Sequence, residues 1–486
     1  MTSILSASGA RIRGDDHHHL FAWIEALRAL QPASGILAVG IEDPEAGNAD
    51  DVTVYREDGT REFFQVKSSV DGREVVSIEW LMAPSRAGGL SILQRFFNVW
   101  ANDSSGQQRP KLALVTNRPP AADDPVIALR DGRNGTVASR LREAAPKSRA
   151  GIARKKIARH LSIEEEELLT FLDDLSLRVS RLYDELKEQV WPLMYAAGLR
   201  HDEEALALGL SIVRGWVTDG KRRLPVEEIR RAVAPLERPG DLPAVSLVIQ
   251  AIDRDPMPES AAIVLDWVDL FPGPEPRTRR RPCDDGLWNR KFRPELQEAA
   301  RKLRAQGHRR VLVRGYIRLP MWFATGVELG RTAGFEVVAF QKGAPWSSDG
   351  KVGDFPIRVS VNQGLGSGTE LALGIAVAAD LSEDVLTFLK KSVPEVGRLM
   401  CTLPETGPSN VAIRSDAEAR AWALNTRDTV RKVVRDYQPF RIHLFLASPH
   451  GAALLLGHLW DRMPPTQLYE DLGPLEGYCP SFTIPN

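Results

Sequence analysis

Cysteine is scarce: Cys283, Cys401 and Cys479 are the three in 486 residues. Their odd number and wide spacing exclude a disulfide framework and a thiolate zinc cluster, and they fit a reducing cytosol. No run approaches the roughly 18 apolar residues that read as a membrane span, so no membrane role is expected. The first residues lack a basic stretch followed by an apolar one, so no signal peptide is expected either. Charge of one sign is also missing. Lys and Arg number 63 against 64 Asp and Glu, for a net charge of −1. The whole molecule is therefore not a nonspecific polyanion binder, and any nucleic-acid contact must come from local patches. Walker and Gly-x-Gly-x-x-Gly signatures are absent. Gly364–Leu365–Gly366–Ser367–Gly368 is glycine-rich, but no strand feeds it, and it reads as a flexible loop.

What is present is an α/β pattern long enough for two or three domains. Residues 14–31 place Leu20, Trp23, Ile24, Leu27 and Leu30 at helical spacing, with Pro32 and Gly35 as the stop. A short strand, 36–41, leads to Glu42. Residues 50–69 read as a β-hairpin turning at Glu57–Asp58–Gly59–Thr60. A helix over 88–101 and a strand with a continuous apolar run over 111–116 complete an N-terminal domain, residues 1–139. Residues 140–236 are read as a helical connector. Its cations include Arg154, Lys155 and Lys156, which suit either a solvated helix face or a DNA-contacting one. Residues 237–486 alternate strands with helices, the signature of a parallel, Rossmann-like sheet. VLVRGYIRLPMWFATGVELG and IHLFLASPHGAALLLGHLW share a strand–Pro–helix order, which predicts two similar halves, about 240–345 and 350–486.

The hairpin carries the chemistry. Gln65 and Lys67, two apart on one strand, share a face. An acid at the start of the partner strand faces them: Asp51, with Asp50 as its alternative. Phosphodiester hydrolysis needs a cation and an activated water. Mg²⁺ prefers oxygen ligands, which Asp51, the side-chain oxygen of Gln65 and the Val66 carbonyl would offer. Lys67 would orient the water or stabilise the developing charge. Glu42 and Glu25 are candidates to complete the acidic set. Ordinary sheets also carry such a pattern. His17, His18 and His19 are successive on a helix and point different ways, so they do not chelate one ion. One of them is a candidate phosphate contact.

Asp51…Gln65-Val66-Lys67 resembles the PD-(D/E)xK nuclease motif in the variant where Gln replaces the first acid. GDDHHHLFAWIEALRAL, FFQVKSS, SILQRFF and LALVTN resemble the double-stranded-DNA endonuclease domain of bacterial anti-phage effectors. The resemblance implies a restriction-endonuclease-like fold and Mg²⁺-dependent cleavage of duplex DNA (Mn²⁺ as the other metal), with Asp51, Gln65 and Lys67 in the motif's metal-binding and catalytic places.

In the C-terminal half, loops at the carboxyl ends of strands are where α/β sheets bind ligands. Arg318, Trp322, Asp380, Ser448 and His450 lie on such loops, and Trp346 on a loop between the halves. These are the candidate ligand contacts, although each Trp also suits core packing. IHLFLASPHGAALLLGHLW, QLYED and YCPSFTIPN resemble the SAVED domain, a fusion of two CARF-like halves. Nuclease followed by SAVED resembles the effector endonucleases of CBASS systems. That resemblance implies a cytoplasmic bacterial effector. A cyclic oligonucleotide, expected to be a trinucleotide made by a cGAS/DncV-like nucleotidyltransferase, would drive homo-oligomerisation and largely nonspecific DNA cleavage. Two other readings stand beside it: a stand-alone restriction-type nuclease, and a catalytically inactive sensor.

Overall fold

A computed structural model describes residues 7–43, 51–71, 73–84, 88–102, 109–238, 243–255, 257–273, 277–363, 365–366, 368–473 and 476–485. The chain divides into two compact units, Met1–Asp241 and Leu242–Asn486. Among the described residues, no helix is long and apolar enough to cross a membrane.

Unit one is built on a six-stranded sheet. Its strands are β1 (Ile36–Ile41), β2 (Val52–Arg56), β3 (Arg61–Lys67), β4 (Lys111–Thr116), β5 (Leu175–Arg178) and β6 (Arg223–Pro225), in the spatial order β5-β4-β3-β2-β1-β6. The expected hairpin is β2–β3, antiparallel, with Val52 opposite Phe64 and Tyr55 opposite Arg61. Gly59 at φ 82° closes its turn, a conformation that favours glycine. β3 then runs parallel to β4, and β4 to β5. Period-two alternation puts Phe63 and Phe64 on opposite faces, and both faces are covered. Phe64 meets Phe21 of helix α1 (Ala7–Leu30) at 5.2 Å between ring centroids. Phe63 joins Phe96, Trp100 and Leu114 in the second layer. The continuous apolar run of β4 follows from that double burial.

The connector differs from expectation. Residues 140–236 are largely helical, but they also supply β5 and β6, which close the two edges of the same sheet. The structure makes no break at 139/140, and the boundary falls at Asp241. The two strands are short, four and three residues, and their sequences LSLR and RLP give almost no period to read.

Unit two holds two sheets. The first comprises β7 (Val245–Gln250), β8 (Ile263–Asp266), β9 (Arg310–Arg314), β10 (Glu336–Gln341) and β11 (Ala344–Ser347), ordered β11-β10-β9-β7-β8. The second comprises β12 (Ile357–Gln363), β13 (Glu370–Ala376), β14 (Val396–Pro404), β15 (Ile442–Ala447), β16 (Thr466–Gly473) and β17 (Gly477–Ile484), ordered β12-β14-β13-β15-β16-β17. The inner strands are parallel, and β11, β12 and β17 are antiparallel edges. Each repeated segment is a strand followed by a helix: β9 by Leu319–Glu328, and β15 by His450–His458. Pro320 sits in the first turn of one helix and Pro449 caps the other, where a missing N–H costs nothing. The two helices pack on each other through glycine. A Cβ on Gly326 would collide with the Leu454 carbonyl, and one on Gly457 with the Phe323 carbonyl. One continuous apolar core runs through both halves, from Val245 to Ile484.

Candidate nuclease and nucleotide sites

The hairpin brings Asp51, Gln65, Val66 and Lys67 together. The Val52–Phe64 pairing places Asp51 opposite Gln65, on the face that Lys67 shares. Asp51 Oδ2 accepts the Val66 N–H at 2.6 Å and lies 3.6 Å from Lys67 Nζ. Its own N–H donates to the Phe64 carbonyl at 2.8 Å. The acid is thus tied by backbone to the strand that carries Gln65 and Lys67. His18, on α1, donates from Nε2 to the Asp51 carbonyl at 3.1 Å. That contact assigns the helix a positioning role which sequence spacing did not reveal. Asn117, at the end of β4, was also missed as a site residue. It accepts from the Ser69 N–H at 2.8 Å and donates to the Ser69 carbonyl at 2.6 Å, fixing the chain as it leaves Lys67.

Gln65 is 2 % exposed, and its Oε1 is buried without a hydrogen-bond partner. A buried acceptor without a donor is costly. That orphaned oxygen beside a carboxylate is the donor set a hard cation accepts, so Asp51 and Gln65 fit Mg²⁺. The other proposed acids are occupied elsewhere. Glu42 turns away at φ 46° and pairs with Arg222 at 2.7 Å. Glu25 is buried against Arg28, which also reaches Glu62 at 3.6 Å. Asp50 lies outside the described residues. Among the described residues no group of three or more His, Cys, Asp and Glu gathers to hold a metal. Of the other histidines, burial depresses both His17, to about 4, and His19, so neither carries charge near neutral pH.

Arg154 is corrected. It is buried and works inside the fold: Nε donates to Glu165 at 2.6 Å, and Nη1 to the carbonyls of Leu141 at 2.8 Å and Ala144 at 3.3 Å. Lys155 and Lys156 are exposed on the same helix, Lys156 at 3.6 Å from Glu79. Arg154→Ala should therefore lower unfolding stability by about 1–3 kcal/mol, since it leaves the Leu141 and Ala144 carbonyls without their donor, while Glu165, 36% exposed, is reached by solvent. It should leave the salt dependence of DNA binding unchanged. Chemical denaturation and a salt titration read the two effects separately.

The nucleotide candidates divide. Trp322 lies 4.6 Å from His450 between ring centroids, the rings tilted by 31°, and His450 Nε2 donates to the Phe340 carbonyl at 2.8 Å. Burial lowers the His450 pKa. Ser448, where β15 gives way to its helix, is buried with Oγ unpartnered. Trp346 does not sit on a loop between the halves. It lies in β11, buried beneath Gly451, whose missing Cβ leaves room for the indole. Trp322 is equally buried, so neither indole offers a free face. Asp380 stands apart, accepting the Ser382 N–H at 3.0 Å; that bond and the Ser382 side chain hold its pKa low. Arg318 caps the helix after β9. Its guanidinium donates to the Arg279 carbonyl and lies 3.7 Å from Glu470 of β16. These neighbours, Arg279 and Glu470, were not singled out from the sequence.

Burial pushes the Glu470 carboxyl up to about 8, more than the attraction of Arg318 offsets. Its folded-state pKa exceeds the ordinary value of 4.5. The folded protein therefore holds a proton that the unfolded chain releases. That contribution is complete below the unfolded pKa and is lost as pH rises toward the folded one. Glu470→Gln should gain melting temperature relative to the parent protein as pH climbs from about 5 to about 8, and thermal melts across that window check it.

Residues 289–484 match the family model described as "SMODS-associated and fused to various effectors sensor domain", abbreviated SAVED. Over 99% of this chain and 100% of the relative, the sequence is 23% identical to CD-NTase-associated protein 4 of Enterobacter hormaechei subsp. hoffmannii (strain UCI 50). Among solved structures, the chain resembles the Acinetobacter baumannii Cap4 SAVED/CARF-domain containing receptor with the cyclic trinucleotide 2′3′3′-cAAA, at 14% identity and TM-score 0.45, covering 100% of each chain. It also resembles the Moraxella osloensis Cap4 receptor at 14% identity and TM-score 0.42, covering 97% of this chain and 99% of that one. Residues 289–484 thus form a SAVED domain, in a chain related over nearly its whole length to a CD-NTase-associated protein.

Proposed function

We propose that this protein is a nucleotide-gated DNA endonuclease of a CBASS anti-phage system. The SAVED domain would take a cyclic oligonucleotide, and unit one would then cleave double-stranded DNA as part of a homo-oligomer. The single observation that carries the nuclease reading is the Asp51–Gln65–Lys67 constellation on one face of a paired hairpin, with the Gln65 oxygen buried and unpartnered. Asp51 and Gln65, with the Val66 carbonyl, would hold Mg²⁺, or Mn²⁺ in its place. When bound, the metal neutralises charge on the phosphate and lowers the pKa of a water. Asp51 is kept in place by the Val66 N–H and, at its carbonyl, by His18. Lys67, a fixed cation beside it, orients the attacking water or meets the charge that grows on the phosphate oxygens.

A single nearly neutral copy holds DNA weakly, so pooling several exposed cations such as Lys155 and Lys156 by assembly strengthens that grip. This links ligand binding, oligomerisation and activity. The deciding experiment incubates purified protein with plasmid, Mg²⁺ and a panel of cyclic di- and trinucleotides. Degradation only when metal and one nucleotide are both present is expected. Cutting without nucleotide assigns a stand-alone restriction-type enzyme. A second reading, the inactive sensor, draws on Glu42 and Glu25 being engaged by Arg222 and Arg28. It predicts nucleotide binding with no cutting under Mg²⁺ or Mn²⁺.

A further inference from the structure

A cavity of about 480 Å³ opens in unit two, away from Ser448 and His450. The helix His450–His458 gives the direction. Its first residue bonds the carbonyl of Phe340, near the end of β10, while His458 bonds the carbonyl of Leu329, which precedes β10. The cavity lies at the second end, lined by Phe335 and Glu336 from the first half and by Arg420, Leu424 and His458 from the second. It is therefore remote from the carboxyl ends of the strands, where the nucleotide candidates cluster.

Its unusual member is Arg420, on the helix Asp416–Tyr437 and 7% exposed. Nη2 donates to Asp416 at 2.6 Å. Nε and Nη1 are buried without a hydrogen-bond partner. A guanidinium does not shed its proton in a protein, and it carries five donors and no acceptor. Three of those donors, the one on Nε and the two on Nη1, are left dry, which is costly. The nearby carboxylates already have donors. Asp416 also accepts the Ser347 N–H at 2.6 Å, and Asp349 holds the Ser347 hydroxyl and lies 3.8 Å from Arg310. Glu336 has a partner of its own. Gly350 adjoins the guanidinium, and a side chain there would strike Nη1 and Nη2 at 2.8 and 2.7 Å. Arg331, exposed, lines the same cavity. The missing partner is an acceptor, the space beside it is large, and the walls come from both halves.

We propose that this cavity binds a phosphate group, seated on Arg420 with Arg331 beside it, at a site separate from the strand-end crevice. Free inorganic phosphate and the phosphate of a mononucleotide share that chemistry. Because both halves line the cavity, occupancy would tie them together and shift the response of the domain to its main ligand.

Isothermal titration of the full-length protein with inorganic phosphate, and separately with AMP, tests it. Saturable binding of one equivalent of either is expected. Binding of both assigns the site to the phosphate itself; binding of AMP alone assigns it to a nucleotide. Arg420→Gln should weaken the interaction at least tenfold. Since that variant also strands Asp416, Leu424→Trp serves as the second: it fills the cavity, leaves the Arg420–Asp416 pair in place and should abolish binding with an unchanged melting temperature. No saturable binding of either compound would overturn the proposal, as would binding that survives in both variants.

Discussion

Lys67→Ala should lower nucleotide- and metal-dependent plasmid cleavage by at least about 100-fold while leaving folding and nucleotide binding intact. A preorganised charge aimed at a developing oxyanion is typically worth that much in rate. Its value to stability is small. The ammonium lies 3.6 Å from Asp51, and the two side chains are 35% and 25% exposed, so solvent screens the pair. Exposed pairs of this kind contribute about 0–1 kcal/mol. Activity and stability therefore separate at this residue. They do not separate at Asp51, whose carboxylate also takes the Val66 N–H; Asp51→Ala loses activity and loosens the hairpin together. Lys67→Arg should not restore cutting, because a planar fork does not reproduce a compact ammonium. Gel-based cleavage, thermal melts and a nucleotide-binding titration read the three properties independently. Cleavage that persists in Lys67→Ala would remove the hairpin from the mechanism.

The hairpin was legible because its signals are local. Alternating β-formers, a Glu-Asp-Gly-Thr turn and a two-residue spacing fix which side chains share a face, and β2, β3 and their register follow. The repeat within unit two was legible because β9 and β15 are each followed by a helix with Pro at its start. What escaped was set by tertiary context. Arg154 stands in a run of exposed cations, and nothing in the run marks the one that turns inward to the carbonyls of Leu141 and Ala144. Glu42 and Glu25 have the right charge near the right strand, but Arg222 and Arg28 claim them, one of them 180 positions away. Trp346 carried a missed local signal. Gln341 pairs with Ala344, so Lys342 and Gly343 form a two-residue turn, with φ 52° and 78°. That geometry is a hairpin turn, and it converts the supposed inter-half loop into β11.

The seam between the halves supports the second large effect. Gly326 and Gly457 let two helices approach until each backbone touches the other, and a Cβ at either position meets a carbonyl oxygen rather than a movable side chain. Overpacking a tight core typically costs about 1–3 kcal/mol, occasionally more, when neighbours can shift. Here the obstacles are the Leu454 and Phe323 carbonyls, inside helices that are themselves buried, so Gly326→Leu should cost at least the upper end of that range. The damage should not stay in one half. The apolar core is continuous, with Val311 and Val313 of β9 and Ile442 and Leu444 of β15 all in it, and each glycine helix packs on the other half: the helix after β9 meets β15, β16 and β17, and the helix after β15 meets β10 and β11. Both halves should therefore loosen as one unit. Unit one has its own core, with Phe63, Phe96, Leu114 and Phe171, and its protection should be retained. Hydrogen exchange by mass spectrometry distinguishes the cases. In Gly326→Leu, peptides over β9 and over β15 should gain exchange together, while those over β3 and β4 keep theirs. Exchange confined to β9 and its helix would mean that the halves are energetically separate, and the shared core would not be the element that couples them.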